Sequence, residues 1–133
     1  MIRGINHITW CVTDIDRAFQ FYTEDLGLKP IMKSSMSAYF TIGDCWCAVV
    51  LEQKIENQNY NHIALDVAPA DFDRVVQNLQ SKGIVQWKEN NTEGDSFYFL
   101  DPSGNKFEIH SSSLQQRIQD GKSNWGDEVT WYV

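Results

Sequence analysis

The sequence predicts an α+β fold made of two similar halves. Three observations indicate this: the triplet Asn-His-Ile occurs at residues 6–8 and again at 61–63, each copy opens a β-prone run, and each run leads into apolar residues at helical spacing. The chain has 133 residues and is 42% hydrophobic, which is enough for a real core. Neither half is long enough to cover its own sheet, so we expect the halves to pack together or to exchange with another chain.

The predicted strands are three in each half. They lie at residues 7–12, 38–42, 46–51, 62–67, 96–100 and 106–110. Gly43-Asp44 predicts the turn between the second and third strands, and Asp-Pro-Ser-Gly-Asn at 101–105 predicts the turn between the last two. Each half is therefore predicted to be β-α-β-β, with room for an extra strand just after the helix.

One helix is expected in each half. Asp14 or Asp16 can cap the first helix, and Asp71 suits the start of the second. Both are expected to end at a glycine, Gly27 and Gly83. The apolar residues at helical spacing are Phe19, Tyr22 and Leu26 in the first helix, and Phe72, Val75, Val76 and Leu79 in the second.

The chain is predicted to be one domain, 1–133, with two modules at about 1–52 and 60–112. A polar linker, 53–59, joins them, and 113–133 form a tail outside the repeat. Trp125 and Trp131 in this tail indicate that it packs against another surface rather than remaining disordered.

Charge and cysteine content exclude several classes of protein. Eleven Lys and Arg against 18 Asp and Glu give a net charge of −7, which opposes binding to nucleic acid or to an anionic membrane. Cys11, Cys45 and Cys47 are too few and too irregular for a disulfide framework, so we expect them to be reduced and buried. The N-terminus lacks the features of a signal peptide, and no apolar run is long enough for a membrane span. A cytoplasmic protein is expected.

Two histidines and one carboxylate form a candidate metal site. His7 and His62 occupy the same point of the repeated unit, and Glu108 lies in the last strand. Two imidazoles and a carboxylate suit a divalent metal and leave positions open for water or substrate. His110 shares the strand face of Glu108 and is either a rival ligand or a residue that orients its neighbours.

The polar loop 88–96 is the second informative stretch. Its backbone carbonyls and hydroxyls can hold a cation or cradle an anion, and Ser96 and Tyr98 then project from one strand face. Lys88 and Arg117 could clamp a phosphate-like group, although composition alone favours ordinary surface charge.

Five segments carry a resemblance to a known family, from the N-terminus to about Arg117. They are GINHIT at 4–9, YNH at 60–62, WKENNTEGDSFYFLDPSG at 87–104, and FEIH at 107–110 with LQQR at 114–117. With these motifs the chain resembles the vicinal oxygen chelate superfamily of glyoxalase I, bleomycin-resistance proteins and extradiol dioxygenases. Within it, the chain is similar to the glutathione-using fosfomycin-resistance thiol transferases.

The resemblance implies paired βαβββ modules in a homodimer whose two chains exchange modules. Each metal site would then take His7 from one subunit and His62 with Glu108 from the other. The implied metal is Mn²⁺. The implied reaction is opening of the fosfomycin epoxide by a thiol, with glutathione as the first candidate. A Lewis acid that offsets charge on the departing oxygen makes this chemistry sensible without a protein nucleophile.

The resemblance also implies roles for individual residues. The catalytic contacts are Thr9, Lys88, Tyr98 and Arg117. The phosphonate of the antibiotic would be bound by Lys88, Thr92, Ser96, Tyr98 and Arg117, with Trp46 and Tyr60 as pocket walls. A K⁺ ion would be held in the loop by Asn90, Thr92, Gly94 and Ser96.

The sequence departs from the glutathione-using relatives at the thiol positions, which are Ser34, Met36, Val50 and Asn91. Asp44 either serves its turn or activates water, which makes a metal-dependent fosfomycin epoxide hydrolase the first alternative. An Fe(II) extradiol dioxygenase would use the same ligand triad. A drug-sequestering dimer is the non-enzymatic alternative, although His7, His62 and Glu108 together count against it.

Overall fold

The computed structural model describes residues 1–56, 59–91 and 93–133. Asn57 and Gln58 of the predicted linker, and Thr92 of the predicted loop, lie outside the described residues. The strands are β1 His7–Val12, β2 Lys29–Lys33, β3 Ser37–Ile42, β4 Cys45–Leu51, β5 Ile63–Asp66, β6 Gln86–Lys88, β7 Ser96–Leu100 and β8 Lys106–His110. The α-helices are α1 Ile15–Gln20, α2 Phe72–Ser81 and α3 Leu114–Asn124.

The strands form two four-stranded sheets of the same topology, with orders β1-β4-β3-β2 and β5-β8-β7-β6. In each sheet the first strand pairs in parallel with the last, and the remaining neighbours are antiparallel. The extra strand expected after each helix is present, as β2 and β6, and it forms a sheet edge in both cases. The predicted α+β fold of two βαβββ units is confirmed.

The first helix differs from its prediction in its second half. The Asp14 side chain caps α1 by accepting from the Arg17 backbone N–H at 3.0 Å. After Gln20 the chain widens into a π-helical turn, Phe21–Asp25, closed by the Leu26 N–H on the Phe21 carbonyl. Phe21 and Tyr22 are adjacent in this turn, and both are buried in the core. The α-helix itself ends at Gln20, six residues before Leu26, which was predicted to belong to it.

The predicted cap of the second helix is wrong. Asp71 makes no capping hydrogen bond to α2, because it is itself the last residue of a 3₁₀ turn, Pro69–Asp71, and has helical rather than extended backbone angles. Its carboxylate instead accepts from the Arg74 guanidinium at 2.7 Å.

The two units share one hydrophobic core. Phe21 of the first unit lies against Phe99 of the second, with ring centroids 6.4 Å apart, and Tyr22 lies against Phe107 at 6.0 Å. A buried polar network crosses the same boundary: the Tyr22 hydroxyl donates to Asp101 Oδ2 at 2.6 Å and accepts from the Trp10 indole at 2.9 Å. Burial first, and the Asp101 carboxylate next, raise the pKa of Tyr22 well above its usual value.

The tail packs on its own helix. Trp125 and Trp131 stack with centroids 5.8 Å apart, over Gly121 of α3. A Cβ at Gly121 would lie 2.6 Å from the Trp131 ring, so only glycine leaves room for this contact. Among the described residues, none of the helices has the length and apolar character needed to cross a bilayer.

The cysteines are free, as expected, but only Cys47 is buried, whereas Cys11 and Cys45 are partly exposed. Burial, and then the neighbouring Cys45, raise the pKa of the Cys47 thiol to about 11.

Candidate metal centre

Two of the three predicted metal ligands meet in the second sheet. His62 Nε2 lies 3.1 Å from Glu108 Oε1. His62 comes just before β5, and Glu108 lies in the middle of β8, where it is directly opposite Ala64 of β5 and Tyr98 of β7. The parallel pairing of β5 with β8 therefore brings the two side chains together.

The hydrogen bonds of His62 leave its inner nitrogen facing a carboxylate. Its Nδ1 lies 2.8 Å from the Tyr60 carbonyl, which can only accept, so Nδ1 carries the proton. If the ring is neutral, Nε2 presents a lone pair to Glu108 Oε1 at 3.1 Å, and either a shared proton or a metal ion between the two atoms satisfies both. The separation suits two ligands of one metal ion, because donor atoms about 2.1 Å from an ion and about 90° apart lie about 3 Å from each other.

Glu108 is nearly buried, with 6% of its surface exposed, and its second oxygen is also engaged. The Ser96 hydroxyl donates to Glu108 Oε2 at 2.6 Å, and His110 Nδ1 lies 2.6 Å from the same hydroxyl oxygen. The structure therefore brings His62, Glu108, Ser96 and His110 into one connected group.

An aromatic wall holds a lysine next to this group. Lys88 Nζ donates to the Tyr60 hydroxyl at 2.7 Å and lies 4.9 Å from the ring centroid of Tyr60 and 4.8 Å from that of Tyr98. The hydrogen bond to Tyr60 is the main cause that raises the pKa of Lys88, so the group stays cationic. A fixed positive charge beside the His62–Glu108 pair is suited to an anionic substrate.

Trp87 is a wall residue whose role the sequence did not reveal. Its ring lies 5.6 Å from His62 and 5.2 Å from Tyr98, and its indole N–H donates to the Phe107 carbonyl at 3.0 Å. The pairing of β6 with β7 shifts register between Gln86 and Lys88, so that both Trp87 and Lys88 lie against Tyr98. Strict alternation of strand faces would have placed these two neighbours on opposite sides.

The third predicted ligand lies elsewhere in the chain. His7 stacks on Trp46 with centroids 4.2 Å apart, and its Nδ1 lies 2.7 Å from Asn6 Oδ1. His7 pairs with Trp46 in the β1–β4 register, and Thr9 is exposed on the same strand face. Over residues 1–56, 59–91 and 93–133 no group of three or more His, Cys, Asp or Glu is close enough to hold a metal. Within the described residues, one chain therefore supplies His62 and Glu108 as a pair, and the exposed His7 does not complete a group of three.

A hydrogen bond between two of its own residues closes the predicted cation loop. Asn90 Nδ2 donates to the Gly94 carbonyl at 2.9 Å, and Gly94 has a φ of +82°, which glycine adopts without strain. Ser96, at the end of this loop, uses its single proton on Glu108. Thr92 is not among the described residues.

Arg117 lies in the first turns of α3, where its N–H donates to the Ser113 carbonyl at 3.0 Å. The structure shows no contact between its side chain and the His62–Glu108 pair within the described ranges. Its predicted contact with the substrate stays a prediction.

The predicted pocket residue Trp46 lines an open apolar groove on the first sheet. Asp44 is exposed at the β3–β4 turn and borders this groove, together with Tyr39, Thr41 and Cys45. Of the residues predicted to contact the thiol, Ser34 hydrogen-bonds within the β2–β3 connection, to the Ser37 hydroxyl at 3.3 Å, and Met36 is exposed nearby.

The fold and the site together define a class of protein. Residues 4–109 match the sequence model of the Glyoxalase/Bleomycin resistance protein/Dioxygenase superfamily, and the chain belongs to this superfamily. Glutathione transferase FosA of Serratia marcescens is 37% identical over 123 residues, covering 89% of this chain and 87% of the relative. Metallothiol transferase FosB of Shouchella clausii is 34% identical over 126 residues, covering 89% and 86%. Within the superfamily, the chain is a member of the fosfomycin-resistance enzymes.

Solved structures agree with this placement. Fosfomycin resistance protein FosX from Mesorhizobium loti matches with a TM-score of 0.78 at 32% identity, covering 89% of this chain and 99% of that one. A glutamate-to-glutamine mutant of FosX from Listeria monocytogenes matches with a TM-score of 0.82 at 28% identity, covering 90% and 98%. That structure contains Mn(II) and 1S,2S-dihydroxypropylphosphonic acid.

Proposed function

We propose that this chain is a Mn²⁺-dependent transferase that adds a thiol, glutathione in first place, to the epoxide of fosfomycin. The observation that carries the proposal is the facing pair of His62 Nε2 and Glu108 Oε1 at 3.1 Å, with the Lys88 cation held beside it by two tyrosines. The pair suits a divalent metal, and the lysine suits the phosphonate of the substrate.

The third ligand is proposed to come from a second copy of the chain. His7 is exposed and its Nδ1 faces Asn6, so its Nε2 is available to a metal outside its own unit. A homodimer in which the first sheet of one copy faces the second sheet of the other would bring His7 to His62 and Glu108. The same pairing would place Thr9 and Trp46 against the substrate.

The donor set of two imidazoles and one carboxylate fits Mn²⁺ and leaves coordination positions for substrate oxygens. When bound, the metal would supply Lewis acidity that offsets negative charge on the epoxide oxygen. We also infer that K⁺ is held in the 90–96 loop, with Asn90, Gly94 and Ser96 as contacts together with Thr92.

The residues of the chain would orient the substrate for the attack. Lys88 and Arg117 would bind the phosphonate oxygens, Tyr98 would contact the same group, and Thr9, Trp46 and Tyr60 would confine the substrate. The thiol gives its proton to solvent and its sulfur forms a bond to the carbon that bears the phosphonate. The C–O bond at that carbon breaks with its electron pair on oxygen, which then takes up a proton.

A hydrolase is the second candidate, and one observation favours it. Asp44 lies on the groove that Trp46 lines, so in the proposed dimer it would put a carboxylate near the substrate. The dihydroxypropylphosphonate in the FosX structure is the compound expected when water, rather than a thiol, opens the epoxide ring. In that reaction the water proton goes to a base and the oxygen of water bonds to the ring carbon. The C–O bond at that carbon breaks with its electron pair on the epoxide oxygen, which then takes up a proton.

A mass-resolved turnover assay separates the two candidates. Fosfomycin is incubated with the protein, Mn²⁺ and K⁺, in parallel with glutathione, with L-cysteine and without a thiol. A glutathione adduct supports the proposed transferase. A cysteine adduct without a glutathione adduct would mean that the transferase uses a thiol other than glutathione. A water adduct in the tube without thiol supports the hydrolase. Absence of all three products would contradict the proposed function.

A further inference from the structure

The carboxylate of Glu108 is held at both of its oxygens by different neighbours. Oε1 faces His62, whereas Oε2 accepts the Ser96 hydroxyl proton at 2.6 Å. An ionised carboxylate can only accept, so the direction of the bond from Ser96 is fixed. The orientation of Oε1 toward His62 therefore depends on the hydrogen bond that Ser96 makes to Oε2.

The partner that keeps Ser96 in this orientation is His110. Its Nδ1 lies 2.6 Å from Ser96 Oγ. A serine hydroxyl has one proton, and here it is donated to Glu108, so His110 Nδ1 must be the donor to the serine oxygen. The result is a directed chain from His110 through Ser96 to Glu108, with two bonds of 2.6 Å. His110 Nδ1 also lies 3.4 Å from Glu108 Oε2, which is longer than either bond of the chain.

The sheet fixes this chain geometrically. Ser96 and His110 are directly opposite each other in the β7–β8 register, and Tyr98 and Glu108 form the next pair on the same face of the sheet. The side chains of His110 and Glu108 are 17% and 8% exposed, so water has little access to replace the bonds between them.

The loop residue Gly94 closes over the same histidine. A Cβ at Gly94 would lie 3.4 Å from His110 Cε1 and 3.0 Å from the Ser112 Cβ. His110 is therefore held between the loop backbone on one side and Ser96 on the other.

We propose that His110 is a positioning residue that acts through Ser96 to hold Glu108 in its metal-binding orientation. The proposal rests on the proposed metal-dependent function, because Glu108 is one of its ligands. It gives Ser96 a role as a donor to the carboxylate, which leaves its hydroxyl no proton to donate to a phosphonate.

The test is the affinity of three His110 variants for Mn²⁺, measured from the free-ion EPR signal. Asparagine places its amide N–H near the position of Nδ1, glutamine places it near Nε2, and phenylalanine retains a ring without a donor. We expect H110N to bind Mn²⁺ within about threefold of the unmodified chain, and H110Q and H110F to bind it about 10- to 100-fold more weakly, as for other residues that orient a metal ligand. Equal weakening in all three would overturn the proposal.

A double variant separates positioning through Ser96 from a general structural effect. If His110 acts only through Ser96, then S96A/H110F should bind Mn²⁺ as weakly as S96A alone, whereas additive losses would contradict the chain. At saturating Mn²⁺ we expect H110F to recover most of its kcat, since its ligands are intact. Circular dichroism of the metal-free variants checks that they fold.

Failure of this inference is distinguishable from failure of the proposed function. If the unmodified chain binds no Mn²⁺, the proposed function is wrong. If it binds Mn²⁺ and H110F binds equally well, only the role of His110 is wrong.

Discussion

Replacing Tyr22 by phenylalanine tests whether the buried polar network holds the two units of the fold together. The substitution keeps the ring that packs on Phe107 and removes only the hydroxyl, which donates to Asp101 Oδ2 at 2.6 Å and accepts from Trp10 at 2.9 Å. Tyr22 and Asp101 are 0% and 4% exposed, so water does not readily replace the lost bonds.

The expected loss follows from these contacts. A hydrogen bond to a charged group contributes about 1.5–3 kcal/mol, and the Trp10 indole, which keeps partial access to water, loses its acceptor at a smaller cost. Asp101 itself keeps three donors, from the Ser103 N–H and from the Asn105 N–H and side-chain amide, so its charge is not left without partners. We expect Y22F to lower the free energy of unfolding by about 2–4 kcal/mol and Tm by about 6–12 °C.

The assay is urea unfolding of the metal-free chain at one protein concentration, since metal binding or assembly would change the apparent stability. Y132F is the matched control, because Tyr132 is 92% exposed and its hydroxyl should contribute less than about 0.5 kcal/mol. If Y22F and Y132F unfold at the same urea concentration, the network does not stabilise the fold.

The same variant carries a prediction about pH. The pKa of Tyr22 is raised in the folded chain, so the unfolded chain releases this proton first, near pH 10. The stabilisation is complete below about pH 10 and falls as the pH rises above it. We expect this loss at alkaline pH to be smaller in Y22F, measured as unfolding free energy between pH 8 and pH 11 against Y132F.

Three further predictions concern the site and its surroundings. E108A removes the only anionic ligand of the proposed site and is expected to weaken Mn²⁺ binding more than about 100-fold; unchanged affinity in a direct binding titration would exclude Glu108 as a ligand. R117A should raise the KM for fosfomycin and leave Mn²⁺ affinity unchanged, and an equal loss of both would show that Arg117 is misplaced. G94A forces a side chain onto a φ of +82° and toward Ser112, so it should lower stability by about 1–2 kcal/mol in urea unfolding; no change would mean that the loop adapts freely.

Much of the fold could be predicted because its signals are local. The bounds of β1, β7 and β8 follow from short β-prone runs between strong turn signals, and the structure has them at the predicted residues. The wider turn at Phe21–Asp25 could not be predicted, because it depends on core space shared with Phe99 and Phe107 in the other unit. The failure at Asp71 has a local cause, since the preceding proline favours a 3₁₀ turn that includes the aspartate.

The candidate site was predictable as a set of residue types but not as an arrangement. The repeat pointed to His7 and His62 as equivalent positions, and the structure pairs only His62 with Glu108 in one chain. The use of the Ser96 proton depends on Glu108 and His110, which are 12 and 14 residues away and meet it only across a strand pair. Sequence motifs do not show to which neighbour the Ser96 hydroxyl donates its proton, because a hydroxyl can both donate and accept.

Because one chain does not bring His7 together with the His62–Glu108 pair, the proposed activity would respond unevenly to gene dosage. Because a working site would need two copies, the active fraction would fall faster than protein abundance once the concentration drops below the dissociation constant of the dimer. A cell that expresses the protein weakly would then gain less protection than its protein level indicates. Conversely, a variant that cannot use its own His7 surface would impair its unmodified partner at only one of the two sites they share.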